Sequence, residues 1–210
     1  MHIKLVIFLH GVGSSGKDLL PIGEYWQQNH PELEISSPNA PFPFMNSTEA
    51  FQWFSVTGVT VENRLERIEQ ARPAFDQTIK QILEQHQLQN QLDQVVFCGF
   101  SQGTIMALDA VVTGRWPVAG MIGFSGRLAT PIQNDLTIKP KILLLHGQND
   151  TVIPVTESLQ AQQFLTQAGF NSTLHTIDGL GHSINQEELE QCTSFFFFFL
   201  RIEIEYVNCS

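Results

Sequence analysis

This chain of 210 residues has little cysteine and little positive charge. Its three cysteines, Cys98, Cys192 and Cys209, are scattered, and none belongs to a C-x-x-C pair, which excludes a disulfide framework. A reducing, cytoplasmic setting is the expectation. Lys and Arg number 11 against 21 Asp and Glu, and the formal charge of -10 repels nucleic acid and anionic lipid as partners. Long apolar runs are missing too. Leu5 to Leu9 stops at His10, short of the roughly 7 to 15 residues of a signal-peptide core. Phe195 to Leu200 falls far below the roughly 20 residues that span a bilayer. Neither H-E-x-x-H nor EF-hand spacing occurs, so no metal or other cofactor is expected.

What is present is enough apolar sequence, 42% of residues, to bury a full core. One domain over 1–200 is expected, with 201–210 as an atypical tail. Short β-branched and apolar runs, 2–9, 33–36, 94–99, 118–124, 141–146 and 172–177, read as strands. Most are apolar throughout, as a parallel sheet covered on both faces requires. Between them 18–29, 62–88, 102–113, 156–168 and 183–200 read as helices, with Pro73 expected to kink or interrupt the second. This alternation predicts an α/β domain with right-handed crossovers. The stretch 37–60 reads as one long irregular loop whose aromatic residues either line a substrate wall or anchor the loop to the core.

The segment VVFCGFSQG, 95–103, carries a strand into Gly99-x-Ser101-x-Gly103 and then into a helix-forming stretch, the context of a nucleophile elbow. Alone the motif is weak, because a serine hydroxyl needs a base and an orienting acid. Both follow in the order serine, acid, histidine: KILLLHGQND ends a strand at Asp150, and STLHTIDGLGH ends another at His182. His182 is the expected base and Asp150 the expected acid, with Asp178 as its rival. His10 and His146 read as structural, and His175 lies within a strand. Gly123-Phe124-Ser125-Gly126 is a decoy without the second elbow glycine.

The early segment HGVGSSGKD, 10–18, raises a nucleotide alternative. Its glycines fit G-x-G-x-x-G, and Gly11 to Lys17 fits most of a P-loop, but Asp18 stands where a P-loop needs Ser or Thr. Glu32 and Glu34 keep a dinucleotide reading open. In an acyl-transfer reading the same loop supplies an oxyanion donor, the Val12 N–H, beside the Gln102 N–H that follows the nucleophile.

Taken together, IFLHGVG, SPNAP, GFSQG, HGQNDTVIP and GLGHS resemble the phospholipase/carboxylesterase family of α/β-hydrolases. The resemblance implies an α/β-hydrolase fold without a separate cap domain. It also implies action on acyl esters, lysophospholipids or S-acyl thioesters, with Ser101, Asp150 and His182 in the catalytic positions. Two departures bear on the substrate groove, where Trp53 and Phe54 are expected contacts. Trp53-Phe54-Ser55 stands where the family often has Trp-Phe-Asp, and Ser125-Gly126-Arg127 where it often has Ser-Gly-Trp. Arg127 in place of an aromatic wall points to short or polar acyl groups. A non-catalytic acyl-binding homologue is the alternative from another class. The run Phe195 to Phe199 cannot share one helix face. It reads as a slippage tract followed by a frameshifted end, or as a sticky edge, since 201–207 alternates like a strand and could pair two copies into a homodimer.

Overall fold

Side-chain alternation decides how the central sheet is covered. In the first strand, β1 (Leu5–Leu9), the residues Leu5, Ile7 and Leu9 enter one apolar cluster while Val6 and Phe8 enter another on the opposite face. The same split divides Val95 and Phe97 from Val96 and Cys98 in a later strand, 95–100. The computed structural model describes residues 2–200, so the expectations for 201–210 and for most of the phenylalanine run lie outside the described residues and side chains. Phe195 itself is buried in the second cluster.

After β1 come α1 (Leu20–Gln27), β2 (Glu34–Ser36), the short strands β3 (Phe42–Pro43) and β4 (Phe51–Gln52), and α2 (Arg64–Gln85). Then β5 (Val95–Phe100), α3 (Gln102–Val112), β6 (Gly120–Phe124), β7 (Lys141–Gly147), α4 (Val155–Gln167), β8 (Ser172–Ile177) and α5 (Gln186–Leu200) follow. Six strands form a parallel sheet in the order β2-β1-β5-β6-β7-β8. Residues of α2, α3 and α4 join the cluster on one face, and residues of α1 and α5 join the other. The chain leaves β1 toward β2 and returns to β5 on its other side. That reversal opens a crevice at the carboxyl ends of β1 and β5, the usual place for a ligand in an open α/β sheet. No helix among the described residues is long and apolar enough to cross a membrane.

Two sequence expectations change. Helix α2 runs unbroken through Pro73, whose ring lies on the exposed side, so water can hydrate the carbonyl that proline leaves without a donor. The stretch 37–60 is not wholly irregular: β3 and β4 pair antiparallel, and a bridge joins Phe51 to Ser14. Beneath this, Asp109 of α3 is only 1% exposed, and it is held by Arg72 of α2, by Arg115 and by the Thr130 hydroxyl. A buried carboxylate so surrounded ties α2 to α3.

Candidate active site

Ser101 sits between β5 and α3 at φ 53° and ψ -114°, a backbone conformation disfavoured for any residue with a Cβ. The flanking glycines make that turn possible. A Cβ on Gly103 would lie 1.8 Å from the Leu9 carbonyl oxygen, and one on Gly99 would lie 2.5 Å from the Thr104 nitrogen. The motif therefore encodes a close approach of α3 to β1 as well as the turn itself.

His182 and Asp150 arrive from the ends of β8 and β7. Gly147 lets the two turns meet, since a Cβ there would lie 2.3 Å from the Leu180 carbonyl oxygen, and the Asn149 N–H donates to that same oxygen at 2.8 Å. The Ser101 hydroxyl lies 2.9 Å from His182 Nε2, and His182 Nδ1 lies 2.7 Å from Asp150 Oδ2. Asp150 Oδ1 accepts the N–H groups of Val152 and Ile153 at 2.8 and 2.9 Å. Burial pushes the Asp150 carboxyl up, but the bonds from His182, Ile153 and Val152 outweigh it and leave the pKa below the usual value. Phe100 packs against the His182 ring with centroids 5.0 Å apart.

Other histidines and acids have their own partners. His146 packs against the Asp150 turn: its Nε2 donates to the Ile153 carbonyl at 2.7 Å and lies 3.2 Å from Asp150 Oδ2, while its Nδ1 accepts the Ser158 hydroxyl at 2.7 Å. Burial lowers its pKa. His10 donates from Nδ1 to the Gly11 carbonyl at 2.7 Å and accepts the Ala40 N–H at Nε2, and burial lowers its pKa as well. Asp178, the rival acid, is exposed in the turn after β8. Ser125, the decoy, is fully buried at the end of β6. Glu32 and Glu34 pair with His30 and His86.

Donor bookkeeping along the glycine loop separates the two readings of it. The N–H groups of Gly13, Ser14, Ser15 and Gly16 donate to the Phe51 carbonyl, the Gly11 carbonyl, Asp18 Oδ2 and Asn39 Oδ1. Asp18 Oδ2 takes up the Ser14 hydroxyl and the Ser15 N–H, donors that a phosphate would need, and these bonds hold its pKa below normal. The Val12 N–H makes no bond among the described residues. The Gln102 N–H, at the first position of α3, has no acceptor within its helix. SPNAP is explained by the same contacts, because Ser37 and Asn39 both bond Gly16.

A cleft of about 210 Å³ opens beside Ser101, lined by Val12, Gln102, Phe54, Ile105, Ile153 and Arg127 among others. Trp53 is not among them, contrary to the sequence expectation. Its side chain is 0% exposed, tilted against the His10 ring and edge-on to Phe75, with Nε1 donating to the His10 carbonyl at 2.9 Å. A large aromatic residue with a satisfied N–H belongs in the core, and it is its neighbour Phe54 that faces the cleft. Sequence reasoning also missed the Gln102 side chain. It accepts the Trp53 N–H at Oε1 and donates to the Phe54 carbonyl from Nε2, both at 2.8 Å. Nothing local in the sequence signals a bond across 49 positions.

The matching family model, described as Phospholipase/Carboxylesterase, spans residues 1–199. The chain belongs to this family. Its relatives include esterase YpfH of Escherichia coli strain K12, 30% identical over 89% of this chain and 79% of the relative. Acyl-protein thioesterase 1 of Saccharomyces cerevisiae is 26% identical over 91% of each chain. The crystal structure of esterase PE8 superimposes with a TM-score of 0.83 at 33% identity, covering 92% of this chain and 91% of that one. The family member described here has the α/β-hydrolase fold and is a carboxylic ester hydrolase.

Proposed function

We propose that Ser101, His182 and Asp150 hydrolyse acyl esters or thioesters through an acyl-enzyme. The single observation that carries this reading is the unbroken chain from Ser101 Oγ to His182 at 2.9 Å and from His182 to Asp150 at 2.7 Å. Ser101 Oγ attacks the carbonyl carbon and gives its proton to His182 Nε2. The negative charge that develops on the carbonyl oxygen is received by the N–H groups of Val12 and Gln102. Collapse breaks the bond to the leaving oxygen or sulfur, which takes the proton from His182. Water then gives a proton to His182 and attacks the acyl-serine carbonyl, and collapse breaks the bond to Ser101 Oγ, which takes that proton back from His182 as the acid leaves. Asp150 stays ionised throughout, holding the imidazole tautomer and stabilising the imidazolium.

Replacing Ser101 by Ala tests this. Turnover of a neutral p-nitrophenyl ester falls by about 10⁴-fold or more, and labelling by a fluorophosphonate probe disappears. Full turnover by Ser101→Ala sinks the mechanism, and an unlabelled wild-type protein makes the chain a non-catalytic acyl-binding homologue.

A further inference from the structure

The leaving group and the acyl group are assigned to different cavities by the proton they need. His182 must reach the leaving atom, and it lines a cavity of about 430 Å³ with Phe100, Ile22 and Leu189. It does not line the 210 Å³ cleft, which instead contains both expected oxyanion donors, Val12 and Gln102. The cleft is therefore the acyl side. At that volume it is below the roughly 300 to 1,000 Å³ of pockets for drug-sized ligands, so it fits a short chain.

Its walls are apolar, from Val56, Val59, Ile105 and Val152, and the charged residues that line it are two arginines, Arg64 and Arg127. Arg127 pairs with Glu157 of α4 at 3.3 Å, whereas Arg64 forms no ion pair among the described residues. Glu62 is close enough to feel Arg64, but it is fully exposed, and it lines a different groove. Burial lowers the Arg127 pKa, Glu157 raises it and the Arg64 charge lowers it, so Arg64 lies close enough to act on Arg127. Two cations lining a short apolar cleft, with one paired acid beside them, leave a local positive excess in a molecule whose net charge is -10. Apolar walls strengthen that field, and guanidinium groups match a carboxylate in geometry.

We propose that this cleft selects short acyl groups ending in a carboxylate, that is, esters or thioesters of one arm of a dicarboxylic acid, with Arg64 and Arg127 receiving the free carboxylate. The inference rests on Ser101 being the nucleophile. Water cleaves the ester bond, leaving a dicarboxylate, the alcohol or thiol, and one proton released to solvent.

The test compares kcat/KM for monoethyl glutarate with that for ethyl pentanoate in a pH-stat. The wild-type protein favours the anionic ester by about 10-fold or more at low salt, and the preference shrinks in about 0.5 M NaCl. Arg64→Gln and Arg127→Gln each lower the anionic-to-neutral ratio about 5-fold or more, and Arg64→Lys keeps part of it. Preference for the neutral ester, with Ser101 still labelled by fluorophosphonate, overturns the inference and leaves the mechanism standing. A ratio unmoved by either substitution overturns it as well. A third substrate, 1-acetyl-glycerol 3-phosphate, places the anion on the alcohol side; if the arginine substitutions act on that ester instead, the acyl assignment is wrong. Absence of labelling and of turnover on every ester sinks both readings.

Discussion

The meeting of Ser101, Asp150 and His182 was legible in the sequence because each follows a strand within a short glycine-bearing motif, and parallel strands deliver their carboxyl ends to one edge. Residues whose roles depend on distant partners were not legible. Trp53 and Phe54 look alike as adjacent aromatics, yet one is core and the other faces the cleft, a difference set by which way the chain turns after β4. Gln102 shows the same limit, since its backbone role follows from the motif and its side-chain role from the loop packed above it. Gln102→Leu leaves the buried Trp53 N–H and Phe54 carbonyl without partners, which costs about 2 to 5 kcal/mol for the two groups together. Urea unfolding measures that loss, and it comes with lower turnover although the backbone donor remains.

At the scale of elements, the alternation of strands and helices was readable to within a few residues. β8 occupies its expected span, while β1 and β6 begin later than their apolar runs do. Apolar character marks burial, and a ladder ends where pairing ends, so residues such as Ile3 and Val118 are buried without being strand. The β3–β4 pairing escaped detection because two-residue strands carry no periodicity. Packing between elements makes two glycine substitutions very different. Gly103→Ala drives a methyl group into the Leu9 carbonyl and forces α3 away from β1, costing about 3 kcal/mol or more together with most of the activity. Gly179→Ala meets nothing within 4 Å and pays only for its φ of +70°, about 1 to 2 kcal/mol. Thermal melts of the two variants separate these costs, and equal losses contradict the packing account.

For the molecule as a whole, one buried acid makes stability depend on pH. Asn185 and Glu188 cap α5 reciprocally, the Glu188 N–H donating to Asn185 Oδ1 and the Asn185 N–H to Glu188 Oε2. Glu188 is 0% exposed, and burial pushes its pKa up to about 7, against the pull of the Asn185 N–H. Below the unfolded value of 4.5 both states hold the proton and nothing is lost. As pH rises from there to about 7, the unfolded chain ionises first, and folding loses up to roughly 3 kcal/mol. Glu188→Gln keeps the cap and removes the charge, so unfolding by urea shows a gain of about 1 to 3 kcal/mol at pH 8 and almost none at pH 4.5. An equal gain at both pH values means that the carboxylate is not the cause. Global consequences also follow from the Gln102 clamp, for it fastens the chain at Phe54 to the residue whose N–H is the proposed oxyanion donor. Wall and donor form one frame, and an acyl group that pushes the wall aside also drags the donor off its target. Such an enzyme discriminates in the rate of the chemical step more than in the grip on its substrate, without any part of it having to close.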